Sequence, residues 1–181
     1  DYSVLISSQQ IFNLDFNALE MEPIIEVLYN RLKQPTPQFE VYYALFQLHK
    51  TGEEEKFNKL KLLLEKYHQQ LPNDKYEVAI ALENYATRRI RQGEGKVFNK
   101  KRLAIYKMEI EMVFFIEDGV MNDALFRNTV ASGAASGEWE WTEKFVEEYG
   151  PLVMESRREN AVLYAKAQLC FYPVSYTHLR A

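Results

Sequence analysis

Three histidines, one cysteine and a few runs of carboxylates are the residues of this 181-residue chain with the widest chemical range. Their spacing decides what they could do. His49, His68 and His178 never fall at the i, i+4 spacing that puts two imidazoles on one helix face for zinc, and none lies beside a cysteine or a second histidine. No metal site and no cofactor are therefore expected. His49, next to Lys50, reads as a helix C-terminal residue meeting the last carbonyls. Cys170 excludes an internal disulfide framework, and its place among Ala167, Leu169 and Phe171 reads as core filler rather than a reactive thiol.

Nucleophile and phosphate patterns fail for equally local reasons. Ser132-Gly133-Ala134-Ala135-Ser136-Gly137 contains no G-x-S-x-G elbow and no strand precedes it, so its small residues are expected to let two helices approach or to end one of them. Gly93-Glu94-Gly95-Lys96 lacks the gap of a phosphate loop and follows a helix, which makes it a turn. Glu138, Glu140, Glu143, Glu147 and Glu148 alternate with Trp139, Trp141, Phe145 and Val146. Acid–base work would need a pocket that raises one of their pKa values, and the pattern reads instead as the wet face of a surface helix. The chain is not expected to be an enzyme.

One charge asymmetry stands out. Arg88, Arg89, Arg91, Lys96, Lys100, Lys101 and Arg102 are opposed nearby only by Glu94. They are either a solvated hairpin tip or, at 88–102, an anion-binding patch for an acidic protein or nucleic acid. The whole chain carries a formal charge of −4, so nucleic acid is not the favoured partner.

The elements that position these groups follow from composition and periodicity. An apolar share of 47% with 14% aromatic residues supports a continuous core, and only 7 glycines and 6 prolines leave few of the turns that an all-β chain needs. No run approaches the roughly 18 apolar residues of a membrane helix, and the chain is expected to be cytoplasmic, although an upstream export signal is compatible with an opening at Asp1.

Phe57-Asn58-Lys59 recurs 41 positions on as Phe98-Asn99-Lys100, and Trp139 follows at the same interval. Leu63, Ala104 and Phe145 then correspond, as do Leu64, Ile105 and Val146, and Tyr67, Met108 and Tyr149. These positions share one helical face. Asp74-x-x-Glu77 and Ser156-x-x-Glu159 both read as capping boxes, in which the cap and the glutamate each satisfy an orphan N–H. Stop and start signals such as Thr36-Pro37, Gly52, Gly93, Gly137 and Gly150-Pro151 predict helices at about 22–33, 37–50, 53–70, 75–92, 97–116, 123–135, 138–149 and 157–172. The expected fold is all-α, with antiparallel hairpins stacked as a right-handed tetratricopeptide-like solenoid of about 41 residues per repeat.

The stretches Asn84-Tyr85-Ala86-Thr87-Arg88, Phe126-Arg127-Asn128-Thr129-Val130, Trp141-x-x-Lys144-Phe145-Val146-Glu147-Glu148-Tyr149 and Arg158-Glu159-Asn160-Ala161 resemble uncharacterised tetratricopeptide-like helical-repeat proteins of Bacteroidota. The resemblance covers about Phe16 to Tyr172, with repeats longer than the ordinary unit of about 34 residues. It implies a helical-repeat domain over 1–172 that is incomplete at both ends. Residues 173–181 resemble translated adaptor read-through and are read as a non-native tail. It also implies a scaffold that binds an unidentified protein or peptide in a concave groove. Tyr42, Asn84, Arg88, Asn128 and Tyr164 are the partner-binding candidates, with the two asparagines equally able to be buried and bonded to a neighbouring turn.

Overall fold

The computed structural model describes residues 21–178 apart from 72–73, 113–115 and 118. The described chain is helical except for one two-residue β-ladder. Its elements are α1 (Met21–Arg31), α2 (Pro37–Thr51), α3 (Glu54–Tyr67), α4 (Lys75–Arg89), α5 (Gly95–Glu111), β1 (Ile116–Glu117), β2 (Val120–Met121), α6 (Asp123–Ser136), α7 (Trp139–Tyr149) and α8 (Glu155–His178). The all-α expectation holds. Among the described residues, no helix is long and apolar enough to cross a membrane.

Helix ends sit where local chemistry places them. Thr36 Oγ1 accepts from the Phe39 N–H at 3.3 Å, and Pro37 fills the first turn, where its missing N–H costs nothing. Gly52 and Gly137 close α2 and α6 in the left-handed conformation, with φ of 64° and 79°. Between α4 and α5 the wide turn Ile90–Glu94 contains Gly93 at φ 97°; of the Gly93-Lys96 stretch expected to be a turn, Gly93 and Glu94 lie in it, whereas Gly95 and Lys96 begin α5.

Several boundaries differ from expectation: α4 ends at Arg89 rather than 92, and α8, predicted to stop at 172, continues to His178 into the stretch read as a non-native tail. The helix predicted to reach 116 ends at Glu111, Ile116 pairs with Met121 in the ladder, and 113–115 lie outside the described residues. An Asp118-Gly119 turn signal between Ile116 and Val120 is the hairpin cue that the helical period masked. α8 starts at Glu155, and the Arg157 N–H bonds to the Met154 carbonyl at 2.9 Å. Ser156 is thus inside the first turn and is not the cap, whereas Asp74 does hold the cap position of α4, its carbonyl accepting from Val78 at 3.2 Å.

The chain divides into two compact units between Leu82 and Glu83, a boundary that falls within α4. In the first, α2 buries Val41, Ala44, Leu45 and Leu48, and its neighbour α3 buries Phe57, Leu60 and Leu64. These spacings of three and four make one apolar stripe on each helix. Tyr29 of α1 stacks on Tyr43 of α2 with ring centroids 3.7 Å apart, and Lys50 reaches Glu26 at 2.9 Å.

In the second unit α6 is central, packing on α5, α7 and α8. Gly133 explains the close approach of α6 and α7: a β-carbon there would run into the Thr142 hydroxyl. The small-residue expectation for 132–137 is met at this position. Phe126 and Phe145 stack at 5.4 Å beside it, and Trp139 Nε1 donates to the Ala134 carbonyl at 3.3 Å.

The three positions 41 residues apart do not all fall at the same place in their helices. Phe57 and Phe98 are each the fourth residue of their helix and are buried, as are Leu64 and Ile105 seven residues on. Trp139 is instead the first residue of α7, because Gly137 ends α6 immediately before it. Phe145 is consequently the buried residue there, while Val146 is only half-buried.

Cys170 is exposed, which corrects its assignment to a core. Ala161 and Ala165 are the buried residues of α8, and Phe171, beside Cys170, is 66% exposed. Apolar periodicity marks a face, but only a neighbouring element buries it.

Candidate binding surfaces

Four of the five sequence-predicted contact residues fall in the second unit. Asn84 and Arg88 lie on α4 and Asn128 on α6, all exposed, and Tyr164 lies half-buried on α8. The exposure of both asparagines removes the buried alternative. Arg88 has its guanidinium 5.6 Å from the Tyr85 ring centroid, a cation–π contact that orients it on the surface. Tyr42 is half-buried in the first unit, which has a separate cleft of about 270 Å³ against Tyr29, Tyr43 and Lys56.

The α6 and α8 pair carries a cleft of about 210 Å³ lined by Asp123, Arg127, Arg157, Asn160 and Ala161. Local sequence builds it. Asn122 caps α6 by accepting from the Ala124 and Leu125 N–H groups at 3.0 and 3.2 Å, which places Asp123 at the first helical position, where the helix dipole favours a carboxylate. Arg127, one turn on, donates to Asp123 Oδ2 at 2.8 Å, and Arg157 from α8 reaches the same oxygen at 3.4 Å. The half-buried Arg127 and the exposed Arg157 thus share one carboxylate. Asn128 follows Arg127 directly, and Tyr164 sits one turn beyond Asn160. Sequence reading missed the charged trio, although Asp123-x-x-x-Arg127 has the spacing of a helical ion pair.

The basic run is less free than its count suggests. Arg89 pairs with Glu94 at 2.7 Å, and Arg102 spends its guanidinium on Ser132 Oγ, Thr87 Oγ1 and Asn99 Oδ1 at 2.9, 3.3 and 3.4 Å. Lys101 lies 5.1 Å from the Phe98 ring centroid. Arg88, Arg91, Lys96 and Lys100 are the exposed cations of the tip.

The glutamates from Glu138 to Glu148 are exposed, as their surface-face reading required. The strongest electrostatic perturbation lies elsewhere. Glu109 on α5 is 2% exposed, and Glu83 on α4 lies within interaction range of it and of the buried Tyr106. Burial first, then the neighbouring Glu83, pushes the Glu109 carboxyl up to about 9. Burial also raises Glu83, partly offset by Tyr106, Glu109 and Arg102. The Tyr106 hydroxyl is raised by burial and by Glu83. Glu109 was legible only as a carboxylate on the Phe98-Ile105 face, and its partner lies on another helix.

Among the described residues no cluster of His, Cys, Asp or Glu is arranged to hold a metal ion. No protein-family model, curated protein or solved structure matches this chain significantly.

Proposed function

We propose that the chain is a protein-interaction scaffold of the tetratricopeptide-like helical-repeat kind, holding an acidic peptide segment against α6 and α8 of its second unit. The observation that carries this reading is the pair Arg127 and Arg157 converging on the single carboxylate of Asp123. Their unbalanced positive charge suits a carboxylate supplied by a ligand, which each guanidinium can bind with two parallel hydrogen bonds. Asn128 offers an amide for a peptide backbone, and Tyr164 offers ring area. No chemical step is part of this reading.

Selection of a displayed random-peptide library on the purified chain tests it. The enriched peptides are expected to carry Asp or Glu, and Arg157→Glu or Tyr164→Ala should weaken them by roughly tenfold, about 1.4 kcal/mol. Enrichment of peptides without acidic residues, or binding indifferent to both substitutions, would sink the proposal. The second reading, nucleic acid held by the tip at 88–102, rests on its four exposed cations and predicts an association that weakens with salt.

A further inference from the structure

We infer that Glu83 and Glu109 form a proton-operated latch between the second half of α4 and α5: a proton held between the buried Glu109 carboxyl and the half-buried Glu83 carboxyl keeps the helices together, and its removal lets them part. The geometry supplies each component. Glu109 is 2% exposed and its Oε2 has no hydrogen-bond partner, so a negative charge on it has nothing to compensate it. Glu83 comes from the opposite helix and lies within interaction range of Glu109 and Tyr106. With the proton in place, one carboxyl donates its O–H to the other carboxylate. When base removes that proton, the bond loses its hydrogen and two like charges face each other in a poorly solvated contact.

Among the described residues, the charged and titratable groups around the pair are few. Tyr106 and Arg102 face it from α5, and Thr87 on α4 and Ser132 on α6 reach it only through Arg102. Arg102 is the sole cation among them, and its nitrogens are already engaged by Ser132, Thr87 and Asn99. It moderates Glu83 and does not neutralise the pair.

The direction of the pH response follows from linkage. In the parted state the Glu109 carboxyl returns to its ordinary value of 4.5, whereas in the closed state it lies at about 9. Between those values the closed state binds a proton that the parted state does not. The latch is fully effective below the lower value, and the closing equilibrium falls by up to tenfold per pH unit until the closed state also ionises. Neutral pH lies inside the window, so the contact responds to modest changes around it.

Urea unfolding and amide hydrogen exchange of the whole chain, compared at matched pH values between 5 and 9 for wild type, Glu109→Gln and Glu83→Gln, test the latch. Glutamine keeps the shape and removes the shared proton. Wild type is expected to lose stability as pH rises across this range, and to lose protection at 83–89 faster than in α7. Glu109→Gln should flatten both trends. The same slope and the same protection pattern in Glu109→Gln as in wild type would overturn the proposal. If Glu109→Gln does not fold, Glu83→Gln is read by the same criteria. Failure here leaves the peptide surface untouched, because that surface uses none of these residues.

Discussion

A missing side chain at Gly133 fixes the distance between α6 and α7, since the space a β-carbon would take is filled by the Thr142 hydroxyl. Alanine normally gains about 1 kcal/mol over glycine inside a helix through its better propensity. Here the added methyl meets a side chain that is fully buried and already donates to the Glu138 carbonyl at 2.7 Å, so it has nowhere to turn. The overlap term exceeds the propensity gain, and Gly133→Ala is expected to lower stability by about 1–3 kcal/mol in urea unfolding. Adding Thr142→Ala should return part of the loss, because it removes the nearest atom. A stabilised single variant would show that the helices can separate at little cost. Glycine at 133 was legible as a close-approach residue. Glu109 was not, because a lone carboxylate on an apolar face gives no indication of a second one contributed by a different helix.

Element boundaries were the most legible feature, and caps explain why. A cap is a local contract between a few adjacent residues, so Thr36, Asn122, Gly52 and Gly137 determine their helix ends without reference to the rest of the chain. Thr36→Ala should cost about 1 kcal/mol, because the Phe39 N–H loses its acceptor. Ser156 fits the same sequence pattern but lies inside the first turn of α8, so Ser156→Ala should change stability by less than about 0.5 kcal/mol. Equal losses in the two variants would mean that Ser156 is a true cap. The third position of the 41-residue spacing departs from the other two for a related reason. Its apolar residues recur on schedule, but α7 begins at Trp139, and the buried position moves by one residue from the Leu64 and Ile105 equivalent, Val146, to Phe145, about 100° around the helix. Periodicity predicts a stripe, and the helix start decides which residues of the stripe are buried. The charged trio at Asp123 was half legible: the i, i+4 pair was written in α6, while Arg157 arrives from α8 through tertiary packing.

At the scale of the molecule the deciding quantity is charge. The chain carries −4, and a polyanion approaching it is repelled except near the tip at 88–102. Seven cations in that run would release enough counterions to give a logarithmic salt slope near −5 for a single strand, taking about −0.7 per phosphate neutralised. Packing changes the count. Arg89 is paired with Glu94, Arg102 is committed to three side-chain oxygens, and Lys101 lies over Phe98, which leaves four exposed cations and a slope no steeper than about −3. Fluorescence anisotropy with a labelled oligothymidylate, titrated with salt, reads this number directly. The expected outcome is weak association at low salt, a shallow slope, and no binding at physiological ionic strength. Tight binding that persists there with a slope near −5 would mean that Arg89, Lys101 and Arg102 leave their present partners to meet phosphate, and the tip, rather than the α6 and α8 surface, would then be where this protein meets its partner.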